Sequence, residues 1–379
     1  MTTPNRALRL PIRPELADEV PYGAPQLDVP VLLNVNENPY APAPEVVASI
    51  AEAVAEAASG LNRYPDRDFL GLRSDLAAYL GAESGVSLAA EQLWAANGSN
   101  EVMLHVLQAF AGPGRTVVSF APTYSMYPEY ARDTHSRYIV GRRETDFTLD
   151  PAHAVEVVRA EQPSVIILTS PNNPTGTALP LATVRAVLDA ALEVDVDGAP
   201  AVVVVDEAYA EFRRAGVPSA LELLAEYPNL AVSRTMSKAF ALAGARLGYL
   251  AARTAIVDAL RVVRLPYHLS AVTQAVARAA LAHAPSLLGK VAELREERDA
   301  TVAWLREQTV DGRPLDVAES DSNFVLFGTF PDRHAVWQGL LDRGVLIRET
   351  GPEGWLRVSI GTREEMTAFK DALVEVAGL

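Results

Sequence analysis

The sequence predicts an α/β fold: a mostly parallel sheet covered by helices on both faces, followed by a smaller α+β unit. Short apolar runs at 93–96, 116–120, 165–169, 201–205, 230–233 and 247–251 lack polar alternation, as strands buried on both faces do. Helix-length Ala/Leu/Glu segments such as 181–193 lie between most of them. Beyond about residue 308 the rhythm shortens to a strand at 323–327, a helix at 335–342, strands at 345–348 and 355–360, and a closing helix from Arg363.

The elements follow in order. Pro4, Pro11, Pro14, Pro21, Pro25 and Pro30 make residues 1–32 an extended arm with at most short helical pieces, suited to packing on a neighbour. Residues 33–40, Leu-Asn-Val-Asn-Glu-Asn-Pro-Tyr, read as a polar turn after an apolar start. Residues 44–59 read as a helix with proline in its first turn, Val47, Ile50, Val54 and Ala57 near one face, and Gly60 after its end. Tyr64 precedes Pro65 in an extended loop. Past the last long strand, residues 264–270 lead into a helical stretch that breaks at Pro285 and resumes from 286 to about 308. The expected division is an arm at 1–32, a segment at 33–60 joining the small domain, a large domain at 61–270 and a small domain at 271–379.

At 379 residues the chain is long enough for a large core. A formal net charge of −15 and the lack of a basic run argue against nucleic acid as a partner. No apolar run approaches the roughly 18 residues of a membrane span. Prolines and the acids Glu15, Asp18 and Glu19 near the N-terminus are unlike a secretory or transit signal, so a cytoplasmic location is expected. The absence of cysteine removes disulfides and thiolate chemistry, and the six histidines are not paired at helical metal-ligand spacing.

The chain has three lysines, Lys238, Lys290 and Lys370. Arginine stays protonated, but a partly desolvated lysine can lose its proton and form a Schiff base. Lys238 follows an apolar strand in a Ser/Thr-rich turn, with Thr235, Ser237 and Arg246 near it in sequence. Small donors and a fixed cation beside a reactive amine suit a phosphorylated aldehyde cofactor. Taken singly, Lys238 caps a strand and Arg246 is a solvated charge. At other strand ends, Asn97-Gly98-Ser99-Asn100 is either an ordinary N-cap or a phosphate cradle. Tyr124 is either core or a stacking partner for a flat ring. The segment 170–176, Ser-Pro-Asn-Asn-Pro-Thr-Gly, forms a sharp turn presenting Asn173. Asp206 ends a run of four valines, where it meets a cation or lies exposed. Arg348 and Arg357 are either strand-edge charges or anion forks.

Residues 234–249, with 170–176 and Asp206-Glu207-Ala208-Tyr209, resemble the pyridoxal-phosphate (PLP) motifs of the fold-type-I aminotransferases, most closely the histidinol-phosphate aminotransferase family. The resemblance extends over nearly the whole chain. It implies a large domain with a mostly parallel seven-stranded sheet and a smaller α+β C-terminal domain. It implies that Lys238 carries PLP, that Asp206 pairs with the pyridinium nitrogen, and that Asn173 and Tyr209 bind the phenolic oxygen. Ser99, Asn100, Ser237 and Arg246 are implied to hold the cofactor phosphate, with Thr235 behind them, while Tyr124 stacks on the ring. Tyr64 is implied to reach across a homodimer interface to the neighbour's phosphate. Around the substrate it implies Glu37 and Asn38 at the mouth, Tyr22 from the arm, and Arg357 with a second arginine, Arg348, on the substrate anion. Tyr267 is left between lining the pocket and supporting the interface.

The implied reaction is transamination of L-histidinol phosphate with 2-oxoglutarate, giving imidazole acetol phosphate and L-glutamate in histidine biosynthesis. An aromatic amino acid aminotransferase is the alternative, since tyrosines with an arginine also suit phenylalanine. A PLP-fold transcriptional regulator needs an added DNA-binding domain, for which the arm is too short and too rich in proline. Decarboxylation or acyl transfer keeps the same cofactor residues and is separated by product analysis.

Overall fold

The computed structural model describes residues 10–21 and 23–378. Tyr22 lies outside the described residues. Seven strands build the main sheet: β2 (Leu93–Ala96), β3 (Thr116–Ala121), β4 (Arg137–Arg142), β5 (Val165–Thr169), β6 (Val202–Asp206), β7 (Leu230–Thr235) and β8 (Gly248–Ala252). They lie in the order β2-β8-β7-β6-β5-β3-β4. Only β8 runs antiparallel to its neighbours, β2 and β7. Six of the seven coincide within two residues with the apolar runs. The strand without such a run is β4, an edge strand whose exposed positions include Arg137 and Arg142. An edge is paired on one side only and carries charge there, so it has no continuous apolar signature.

The helices around this sheet are α1 (Pro44–Ala58), α2 (Leu70–Ser84), α3 (Ser99–Phe110), α4 (Tyr127–Asp133), α5 (Pro151–Glu161), α6 (Leu181–Leu192), α7 (Thr254–Val263), α8 (Ala271–Ala282) and α9 (Ala284–Arg306). The break between α8 and α9 falls at His283, and Pro285 sits in the first turn of α9. Proline lacks an N–H that the first turn cannot pair anyway, so it starts this helix and does not interrupt it. The sheet core includes Val46 of α1, Ala277 and Ala280 of α8, and Leu287 of α9. From Val291 onward α9 packs into a second core, so one long helix serves both.

The second core belongs to the C-terminal unit. A short ribbon of β9 (Thr309–Val310) and β10 (Arg313–Pro314) precedes β11 (Asp316–Val317) and β12 (Phe324–Gly328). Then come α10 (Arg333–Asp342), β13 (Val345–Leu346), β14 (Arg348–Glu349), β15 (Leu356–Ser359) and α11 (Arg363–Ala377). The last helix opens with a capping box in which Thr362 and Glu365 satisfy each other's backbone N–H. The run expected as one strand at 345–348 is split between two sheets. β14 joins the four-stranded sheet β11-β12-β15-β14, whereas β13 pairs in parallel with β1 (Val31–Leu32). That pairing ties the end of the N-terminal arm to the small unit and delivers residues 33–37 toward the large sheet. No helix among the described residues is long and apolar enough to cross a membrane.

Candidate active site

A cavity of about 420 Å³ opens at the carboxyl ends of the sheet strands. Its wall takes Asp206 from β6, Asn173 from the loop after β5, Tyr124 from the loop after β3, and Thr235, Ser237 and Lys238 from the end of β7 and the turn beyond. Across it stand Glu37 of the N-terminal segment and Arg348 and Arg357 of the small unit. Parallel strands all end on one side, so residues distant in sequence converge there.

At one end the wall forms an anion cradle. Ser99 and Asn100 open α3, whose first N–H groups have no intrahelical partner. Gly98, at φ +87°, is pressed against the Arg246 guanidinium, where a Cβ would collide. Gly248 lies so close under Ser99 N that a side chain there would displace the start of α3. Arg246, itself left-handed at φ +54°, donates to Ser237 Oγ at 3.4 Å and to the Ala243 carbonyl at 3.1 Å. Thr235 is buried behind them; its hydroxyl donates to Leu247 O at 3.1 Å and accepts from Ser237 N at 3.2 Å. Hydroxyls, a helix N-terminus and a guanidinium converging on one space match the donor set a phosphate dianion requires.

Lys238 is half-buried, and its Nζ donates to the Val35 carbonyl at 2.9 Å. Burial first, then the nearby Arg357 and Arg246 cations, lower its pKa to about 8, against the pull of Glu37. A larger neutral fraction near pH 8 is what a nucleophilic amine needs. Asp206 is buried at the end of β6, and burial raises its pKa to about 6. Hydrogen bonds from Tyr127 and Ala208 N oppose that rise.

A second set of contacts joins the two units. Arg357 Nη1 donates to Asn173 Oδ1 at 2.5 Å and Nη2 to Asn34 O at 2.8 Å. Tyr209 Oη accepts from Asn173 Nδ2 at 3.4 Å and from Asn36 Nδ2 at 3.0 Å. Asn36 has φ +56° and is itself held by Asn323, which donates to its carbonyl, and by Ser359, which donates to its side chain. Neither Asn34 nor Asn36 was singled out in the sequence, although both belong to the 33–40 turn that was. Tyr127 was missed as well. It follows Tyr124 by three residues, in a Tyr-Pro-Glu-Tyr segment that carries no motif of its own.

Asn38, Tyr64 and Tyr267 are not part of this cavity's lining. Asn38 caps its own turn, accepting from Tyr40 N at 3.0 Å and donating to Ala239 O at 3.2 Å. Tyr64 and Tyr267 do not line this cavity but stack on each other, with ring centroids 4.4 Å apart and planes 15° apart. Tyr64 remains 79% exposed.

The donor set fits PLP: an anion cradle at one end, an amine with lowered pKa, and a buried carboxylate on the wall. Fold and site define the aminotransferase class, and residues 29–373 match the family of class I and II aminotransferases. The histidinol-phosphate aminotransferase of Bifidobacterium adolescentis is 60% identical over 372 residues, covering 97% of this chain and 95% of the relative. That of Thermobifida fusca is 60% identical over 369 residues, covering 97% and 96%. Among solved structures, the histidinol-phosphate aminotransferase of Sinorhizobium meliloti in complex with pyridoxal-5'-phosphate superposes with a TM-score of 0.78 at 25% identity, covering 92% of this chain and 91% of that one. The chain belongs to the histidinol-phosphate aminotransferase family.

Proposed function

We propose that this chain is a PLP-dependent transaminase that transfers the amino group of L-histidinol phosphate to 2-oxoglutarate, a step of histidine biosynthesis, as a cytoplasmic homodimer. The observation that carries this reading is that one cavity is lined by Lys238, by the anion cradle of α3 and Arg246, and by Arg348 and Arg357, with Lys238 feeling the charges of both Arg246 and Arg357. Two sets of anion-binding groups and an amine in one cavity suit a phosphorylated cofactor and an anionic substrate together.

Ser99, Asn100, Ser237 and Arg246 hold the cofactor phosphate, with Thr235 fixing Ser237 from behind. Asp206 meets the ring nitrogen, Asn173 and Tyr209 the ring's phenolic oxygen, and Tyr124 the ring face. Bound there, PLP supplies an aldehyde that accepts the substrate amine and a ring that draws electrons from its α-carbon. Lys238 would hold that aldehyde at rest, and its free Nζ would take the proton from the substrate α-carbon as general base and deliver it to the cofactor side as general acid. Its lowered pKa suits both halves of the exchange at neutral pH. Arg348 and Arg357 bind the substrate phosphate and, in the second half-reaction, a carboxylate of the oxo acid. Glu37 stands at the mouth.

The dimer reading rests on Tyr64, which stands exposed and off its own cavity, stacked on Tyr267 beside the exposed Leu61 and Leu265. In that reading Tyr64 serves the phosphate site of the partner.

The test is an absorbance titration of the holoenzyme with L-histidinol phosphate, histidinol and phenylalanine, without oxo acid. Loss of the cofactor's resting band at low histidinol phosphate, but not at matched histidinol, supports transamination with phosphate recognition. Conversion chiefly by phenylalanine would make it an aromatic aminotransferase.

A further inference from the structure

Asp206 is met by two donors of its own chain. Tyr127 Oη donates to Oδ2 at 2.9 Å, and Ala208 N donates to Oδ1 at 3.2 Å. Tyr127 is fully buried in α4, its ring edge-on to that of Tyr124 at 5.6 Å. A phenol has one proton, and here it goes to the carboxylate, so Thr169 Oγ1, 2.8 Å away, donates to Tyr127. Thr169 ends β5 directly beside Asp206 on β6. Thr123 Oγ1 lies 3.2 Å from Thr169 Oγ1 and donates to Asn172 Oδ1 at 3.1 Å.

We propose that Tyr127, backed by Thr169, is a positioning residue that keeps Asp206 an oriented carboxylate toward the cofactor ring nitrogen. This rests on the reading of Asp206 given above. The chain of hydroxyls also serves the other protonation state. When Asp206 carries a proton it donates to Tyr127, Tyr127 to Thr169 and Thr169 to Thr123, while Thr123 still donates to Asn172. Every hydroxyl keeps a partner in both states, so the buried acid gains or loses its proton without leaving an unsatisfied group.

The charges around this chain are few. Glu207 follows Asp206 and disfavours its ionisation. Arg143 is buried and donates to the carbonyls of Phe120, Phe147 and Thr169 at 3.2 to 3.4 Å. The Tyr130 ring lies against Tyr127. Burial works against the carboxylate and Tyr127 works for it. Removing the phenol hydroxyl therefore moves Asp206 toward its neutral form, in which it no longer pairs with a protonated ring nitrogen.

The experiment is equilibrium dialysis of PLP from the holoenzyme across pH 5 to 9, with no turnover required. Tyr127→Phe is expected to weaken cofactor binding roughly tenfold and to shift the acid limb of binding upward by about one pH unit. Thr169→Val shifts the limb in the same direction by less, and Thr169→Ser, which keeps the hydroxyl, restores it. Weakened binding with an unmoved limb would show a packing role only and overturn the proposal. Should Tyr127→Phe fail to fold, an unmoved limb in Thr169→Val overturns it equally. Asp206→Asn separates the two levels. If it leaves affinity and limb unchanged, Asp206 does not face the ring and both readings fall. If it abolishes the limb while Tyr127→Phe leaves it in place, only the role of Tyr127 falls.

Discussion

Arg348 and Arg357 stand directly opposite each other on the antiparallel strands β14 and β15, and both line the cavity. Two guanidinium groups so opposed repel unless an anion lies between them. Arg357 is buried and tied to Asn173 and Asn34, so its position is fixed by the large sheet and the N-terminal segment together. Arg348 is half-buried and completes the fork from the small unit.

Arg348→Met is therefore expected to raise KM for L-histidinol phosphate roughly ten- to a hundredfold, the scale of one charge-assisted contact at ~1.5–3 kcal/mol. Its effect on phenylalanine should be small. With PLP bound, so that the α3 cradle is filled, inorganic phosphate should raise the melting temperature of the wild-type holoenzyme and leave that of the variant nearly unchanged. Steady-state kinetics on both substrates decide this, and equal losses would favour the aromatic reading.

Lys238 carries a pH signature in the cofactor-free protein. Its folded pKa, about 8, lies below the ordinary lysine value of 10.5. Between those values the unfolded chain binds a proton that the folded one has released, so this group makes stability rise with pH across that window. Below pH 8 both states are protonated, and the folded state bears the full cost of the buried cation. Lys238→Met should remove this contribution, so the wild-type stability minus that of the variant climbs from pH 8 to pH 10. Urea melts of both proteins, subtracted at each pH, would show it; a flat difference would mean Lys238 is not desolvated.

Gly248 sets the distance between β8 and the start of α3. Its Cβ-bearing replacement meets the backbone at Ser99 and Gly98, which cannot swing aside as a side-chain tip would. Gly248→Ala should cost about 1–3 kcal/mol in stability, the range for overpacking. It should also weaken PLP binding, because the displaced N–H groups are those proposed to hold the cofactor phosphate. Fluorescence titration with PLP is the readout, and wild-type affinity would show that α3 does not hold that anion.

Tyr64 offers a test of the dimer. Tyr64→Phe should weaken cofactor binding by about tenfold, one hydrogen bond to a charged group. A mixed dimer of Tyr64→Phe and Lys238→Ala chains has one site with both an intact lysine and an intact partner tyrosine. That site should bind PLP as tightly as wild type. If the mixture binds no better than Tyr64→Phe alone, the tyrosine acts within its own chain.

The sequence by itself determined whatever lies contiguous along a strand end. Lys238 with Ser237 and Thr235, Asp206 after four valines, and Asn173 in its proline turn each lie in one short segment at a strand end, whose chemistry is written in neighbouring residues. Buried parallel strands were readable for the same reason, since burial on both faces demands an unbroken apolar run. Tertiary structure alone decided what comes from pairing. β4 is recognisable as a strand only beside β3. The opposition of Arg348 and Arg357 depends on a register set by the loop between β14 and β15. Asn36 reaches Tyr209 across 173 positions of chain, and Tyr127 reaches Asp206 across 79. Each of those side chains is polar within an otherwise ordinary stretch. Hydrogen-bond partnership is a property of three-dimensional distance, which no local spacing encodes.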